Sequence, residues 1–135
     1  MSVKLDITED RLSQDSYRVL HAGDDYNMSF TVERAGSALD LTGSAVVYFT
    51  VKEDAIKSDA NAKLQLSSAD SAQIEITDAA NGQFTVKFVG TGAKSTENMA
   101  GLWPYDIQAK LDSGTIITVA RGLIEFLEQI TRATS

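Results

Sequence analysis

Along Trp103–Phe126 apolar and polar side chains take turns. Tyr105, Ile107, Ala109 and Leu111 alternate with Asp106, Gln108 and Lys110, a period of two that gives a strand one apolar face. Asp112-Ser113-Gly114 then supplies turn chemistry, because Gly114 can take a positive φ without a Cβ penalty. A second β-rich run follows from Thr115, so the pattern predicts a hairpin, with Gly122 as a bulge or bend and Ile124 and Phe126 resuming the inward row.

The same period recurs upstream. Tyr17 and Val19 begin a β pattern that Gly23-Asp24-Asp25 breaks. Tyr26, Met28, Phe30 and Val32 alternate with Asn27, Ser29, Thr31 and Glu33, which predicts a strand with one buried face. Leu39 and Leu41 flank Asp40, and Thr42-Gly43 punctuates. In Ala45–Lys52 both faces are largely apolar, as expected for a central or doubly covered strand. Residues 53–62 are polar and alanine-rich, either a loop or one helical turn, and Leu64 and Leu66 mark a short strand. Ile74 and Ile76, the turn Asp78–Gly82, and Phe84, Val86 and Phe88 make a second hairpin. Val89–Leu102 is the longest stretch without period two. Its segment Ser95–Met99 suits a helical turn that brings Met99 or Leu102 over one end of the core.

Residues 1–15 read two ways. Val3, Leu5 and Ile7 alternate, which suits a short strand or an extended arm. Thr8-Glu9-Asp10-Arg11 has the form of a helix start, with Thr8 as N-cap and acids in the first turn. Residues 16–132 form the expected domain, Ile130 its last inward contact, and residues 133–135 a tail. Seven to nine short strands with turns between them and no long helical periodicity predict an all-β, antiparallel β-sandwich.

Composition narrows the chemistry. The 135 residues fit one domain with a sizeable core. There is no cysteine, which removes disulfides and thiolate ligands. With 12 basic and 19 acidic side chains the formal charge is −7, which works against attraction to nucleic acid. No run approaches the roughly 20 apolar residues of a membrane span, and acids stand where a signal peptide carries its apolar core, so no membrane insertion is expected.

No catalytic constellation emerges. His21, the one histidine, has no serine or cysteine motif around it and reads as a surface or edge-strand residue. Asp24-Asp25, with Asp54 and Asp59, offers carboxylates to a hard cation, but the D-x-[DN]-x-[DN]-G loop is missing and a solvated turn explains the pair. Gly90-Thr91-Gly92 is too short for a phosphate loop. No metal or cofactor is expected. Trp103, with Tyr105, Tyr48 and Tyr26, is the one candidate platform for stacking on a sugar, against the commoner role of strand aromatics as core.

Several segments together resemble a known family: AGDDYNMSFTV at 22–32, LDLTGSAVVYFTVKEDA at 39–55, EITDAANGQFTVKF at 75–88, LWPYDIQAKLDSGTIITVARGLIEF at 102–126, and Ile130-Thr131-Arg132. Their order is similar to small tail or baseplate proteins of tailed bacteriophages and prophages, and to the N-terminal module of upper baseplate proteins from phages of Gram-positive hosts. The resemblance implies an immunoglobulin-like sandwich used as a virion building block, assembled in the bacterial cytoplasm into a tail or baseplate. It carries scaffold marks only, so it transfers no catalytic residue. Ending near Ser135, the chain lacks the coiled-coil or receptor-binding region of the larger baseplate proteins, so an adaptor or small subunit is expected. Partners are then the chain itself or other tail proteins. The candidate interaction surface is Val3, Leu5 and Ile7 on the arm, with Met99, Leu102 and Trp103 at the long loop. The competing function is a carbohydrate-binding or adhesion module centred on Trp103; an enzyme is not expected.

Overall fold

In the computed structural model the alternating segments become strands of two facing sheets. It describes residues 2–8, 11–12, 15–23, 25–34, 36–52, 62–91, 94–96 and 99–127, with backbone alone for 2–8, 11–12, 15–19 and 62. In chain order the strands are β1 (Ser2–Thr8), β2 (Arg11–Leu12), β3 (Asp15–His21), β4 (Tyr26–Arg34), β5 (Ser37–Ala38), β6 (Val46–Lys52), β7 (Ala62–Ser67), β8 (Ile74–Asp78), β9 (Gln83–Phe88), β10 (Gly101–Lys110) and β11 (Ile116–Leu127). Nine of these have five residues or more, and β2 and β5 have two each.

One sheet runs β2-β1-β4-β9-β8, with β5 also on β4; the other runs β3-β11-β10-β6-β7. The three strands β4-β9-β8 facing the four strands β11-β10-β6-β7 make the core of an immunoglobulin-like sandwich, and β1, β2 and β3 extend its edges. Among the described strands pairing is antiparallel except at two places: β1 runs parallel to β4, and β3 runs parallel to β11. Thr8 ends β1, and Arg11 pairs back onto it, so the helix start read at Thr8 is not formed. The expectations for residues 53–61, Ile130 and the tail 133–135 lie outside the described residues.

Period two decides which side chains go inside. Met28, Phe30 and Val32 of β4 and Phe84, Val86 and Phe88 of β9 face Val47, Phe49 and Val51 of β6 and Tyr105, Ile107 and Ala109 of β10, all buried. Phe49 stacks on Tyr105 within its sheet, centroids 5.2 Å apart, and meets Phe88 of the other sheet edge-on at 5.2 Å. Antibody domains place a tryptophan against an inter-sheet disulfide in this region. Here, with no cysteine in the chain, aromatic contacts join the two layers. β6 lies between β10 and β7, the central position that was one of its two expected settings.

The β10–β11 hairpin closes as expected, with Gly114 N–H donating to Leu111 C=O at 2.8 Å and Gly114 at φ 90°. The irregularity in β11 is not at Gly122, which pairs in register with Tyr105. It falls where Ile107 pairs with Ala120 but Gln108 with Thr118, leaving Val119 as the extra residue. Val119 and Ala120 are both buried, so the bulge shifts the inward row by one position.

Between β8 and β9 the chain makes one 3-10 turn, Ala79–Asn81, closed by Gly82 at φ 67°. Gly82 C=O accepts from Val32 N–H at 3.0 Å. A Cβ on Gly82 would lie 2.5 Å from Val32 O and 2.8 Å from Leu39 O. Both the left-handed backbone and the crowding by fixed carbonyls therefore demand glycine. Gly82→Ala should lower the unfolding free energy by about 2–4 kcal/mol, strain and overpacking together. The check is the urea midpoint, which should fall with the m-value unchanged.

Candidate interaction surface

Two ends and one face of the sandwich carry the features that bear on function. At the first end Asp40 and Asp112 organise the loops. Asp40 Oδ1 accepts from the Thr42 backbone N–H at 2.9 Å and from the Thr42 hydroxyl at 2.6 Å. Asp112 Oδ1 accepts from the Ser44 N–H at 2.9 Å and the Ser44 hydroxyl at 2.8 Å, tying the β10–β11 turn to the loop before β6. Gly43, at φ 79°, passes so close that a Cβ there would lie 2.6 Å from Asp112 Cγ. The Thr42 hydroxyl and then its N–H hold the Asp40 carboxyl below its ordinary value, offset in part by desolvation and then by the Asp112 charge; the Ser44 N–H and then its hydroxyl do the same for Asp112. The acids are spent on these turns. Among the described residues no group of three or more His, Cys, Asp or Glu is placed to hold a metal ion.

At the opposite end the long loop is pinned to the β3–β4 turn. Thr96 is buried, and its hydroxyl accepts from Gly23 N–H at 2.9 Å. Asp25 Oδ1 accepts from Gly90 N–H at 2.8 Å. Met99 N–H donates to Thr96 C=O, and the Trp103 indole N–H donates to Met99 C=O at 2.7 Å. Of the two residues expected to plug the core here, Met99 does so. At 2% exposed it belongs to the core, which removes it from the candidate surface of this domain.

Leu102 and Trp103 go opposite ways, because they are adjacent on β10. Trp103 shares the inner side with Tyr105 and is half-buried against the core, while Lys63 Nζ sits 5.4 Å from its ring centroid. Leu102 is 53% exposed on the outer face of the sheet. On β11 the alternation that buries Ile124 and Phe126 turns Leu123 and Leu127 outward, 43% and 37% exposed. The register sets Leu123 beside Pro104 and Leu102 beside Glu125, so Leu102, Leu123 and Leu127 with half-buried Pro104 share one sheet face, with Glu125 among them. Scattered exposed leucines are normal; several on one sheet face make that face a candidate contact surface. Leu123 and Leu127 were legible as outward positions from the alternation alone.

The remaining candidates do not converge. Val3, Leu5 and Ile7 lie on β1 in register with Phe30, Val32 and Arg34, on the opposite sheet from Leu102. His21 is exposed at the end of β3, and Gly90 is buried. Tyr105 is buried and Tyr26 packs against the core, so the four aromatics do not form a single exposed platform. Asp24, Asp54 and Asp59 lie outside the described residues.

No protein-family model matches the chain, and no curated protein matches it in sequence. Among solved structures it is similar to the N-terminal domain of phage TP901-1 ORF48, at 11% identity and a TM-score of 0.55, over 96% of this chain and 100% of that one. Similarity also extends to extracellular domains 3–5 of Drosophila OTK, at 16% identity and a TM-score of 0.41, over 86% of this chain and 34% of that one. This chain shares its fold with that phage domain over 96% of its own length.

The Asp112 lock has a pH signature. Its carboxyl is held below the ordinary 3.8, so the stability it contributes is fully present above the unfolded-state value and is lost as pH falls through the lower folded-state one. Asp112→Ala should therefore melt below wild type at neutral pH. The gap should close in acid once pH drops beneath 3.8, as read from thermal midpoints across the range.

Proposed function

We propose that this chain is a non-enzymatic structural protein of a phage tail or baseplate, acting through contacts with copies of itself and with other tail proteins. The observation that carries this reading is the likeness to a phage domain that spans 96% of this chain and the whole of that domain. The family resemblance of the turn and strand marks at Asp40–Gly43, Asp78–Gly82 and Tyr105–Ile107 points the same way. These marks belong to the frame: Gly82 crowds backbone carbonyls, and Asp40 and Asp112 brace loops. Such chemistry suits a rigid building block.

The outer face around Leu102, Leu123 and Leu127 is the surface we assign to subunit contact. It lies on a well-braced sheet, so little conformational entropy is lost on docking. Glu125, opposite Leu102 and between Leu123 and Leu127, and Arg121 beyond Leu123 put charge within and beside the apolar positions, the mixed character of a non-obligate contact. The virion, assembled in the host cytoplasm, is the proposed location. The carbohydrate reading has weaker support, since the Trp103 indole N–H is already bonded to Met99 and Lys63 stands over its ring.

The test is quantitative mass spectrometry of purified tailed particles from the host that encodes the chain. The chain should be present at a fixed copy number per particle; its absence from particles, despite expression, overturns the reading. In the same system Leu123→Asp, alone or with Leu102→Asp, should leave folding stability within about 0.5 kcal/mol, as exposed sites do. Incorporation into particles should fall on the order of tenfold, the effect of burying an unpaired charge at a contact. Unchanged incorporation would remove this face from the assembly.

A further inference from the structure

We infer that the outer edge of β4 is a strand acceptor, and that β1 is exchangeable between copies of this chain, so that in the assembly one copy's Ser2–Thr8 lies along the next copy's β4. This rests on the assembly reading above and names the segment that links the copies.

The connectivity of β1 motivates it. Every other long strand of its sheet is held to a neighbour by antiparallel pairing: β4 to β9, and β9 to β8 through the Ala79–Asn81 turn. β1 pairs with β4 in parallel, from Ser2 beside Ser29 to Ile7 beside Arg34. A parallel neighbour cannot be reached by a tight turn and needs a crossover. Here the crossover is residues 9–25, and it passes through β3 in the other sheet. No hairpin between β1 and β4 has to open for β1 to leave; only the two-residue pairing with β2 does. Parallel pairing is also slightly the weaker kind per residue.

The aromatic contacts of the two-sheet frame do not involve it. The inward rows of β4, β9, β6, β10 and β11 make the aromatic contacts Phe30–Phe84, Phe49–Phe88, Phe49–Tyr105 and Phe88–Phe126 among themselves. The acceptor edge, in contrast, cannot be left empty cheaply. β4 has nine residues, and its inward Met28, Phe30 and Val32 hold it rigidly in the core. A vacated β4 would present a long row of unpaired N–H and C=O groups, the template that recruits another strand.

The strand that fits this edge is β1 itself. SVKLDIT alternates Val3, Leu5 and Ile7 with polar residues, and the same register is available in trans as in cis. Exchanging an identical element between copies costs little, because the pairing given up within one chain is remade between two. The choice between cis and trans is then set by local concentration, which a tail ring raises by holding copies side by side. The link between β1 and β3, residues 9–14, can span at most about 20 Å when extended, so exchange is confined to adjacent copies.

The chain has no cysteine, so engineered thiols report without background. Lys4 and Thr31 are register partners. Paired strands lie about 4.8 Å apart, within the Cα separation of about 4.4–6.8 Å that a disulfide spans. Lys4→Cys and Thr31→Cys are made as separate full-length variants, unfolded and refolded together at high concentration, oxidised and run on a non-reducing gel. The double variant Lys4→Cys/Thr31→Cys, at high dilution, shows that the bond forms within one chain. Exchange predicts a mixed disulfide dimer of the two single variants exceeding the symmetric dimers on the order of tenfold, as pairing by register rather than collision requires. No excess of mixed dimer, with the double variant closing normally, overturns the exchange. That outcome is distinct from absence of the chain from particles, which would overturn the assembly reading itself.

Discussion

The contact of Phe49 with Phe88 and Tyr105 is the interaction the rest of the molecule depends on. Phe49 sits at the middle of β6, stacked on β10 in its own sheet and edge-on to β9 across the gap. Phe88 passes the contact on to Phe126 of β11 at 6.3 Å, and Phe30 stacks on Phe84 beside it. Aromatic pairs in these geometries add about 0.5–1.5 kcal/mol each beyond their burial. With no cysteine available to bridge the sheets, these rings set how the layers meet. That arrangement then fixes what faces out. Once Ile124 and Phe126 point to the rings, Leu123 and Leu127 have to face away.

That rule explains how much could be read from the chain. The β10–β11 hairpin, β4 and the β8–β9 hairpin carry period two bounded by Gly, Asp or Asn, while β6 is apolar on both faces, and each forms where its pattern places it. The division of Leu102 and Trp103 between two faces was also legible, by carrying the alternation of Tyr105 and Ile107 back through Pro104. What alternation does not encode is the direction of a distant neighbour. Nothing in SVKLDIT says that it will lie parallel to β4, because side-chain period is the same for either direction. The bulge at Val119 was hidden for a related reason: both it and Ala120 are apolar, so the shift leaves the hydrophobic pattern unbroken, while Gly122 drew attention as a glycine.

The candidate surface was less legible than the fold. Met99 stands in a stretch without period and gave no sign of which way it would turn; the Thr96 pin, with its bond to Gly23, carries it into the core. The Asp112–Ser44 brace joins residues 68 apart, a separation that leaves no local mark. Both devices brace loops at the ends of the sandwich, and the contacts proposed above lie elsewhere, on the outer face of one sheet and the β4 edge of the other.

The most direct measurement is the absolute mass in solution, by light scattering behind size exclusion, over a wide range of concentration. Association through the outer face and the β4 edge requires the mass to climb from the 14.6 kDa of one chain toward a fixed multiple. A mass that stays at 14.6 kDa up to the highest concentration reached contradicts self-association through these surfaces.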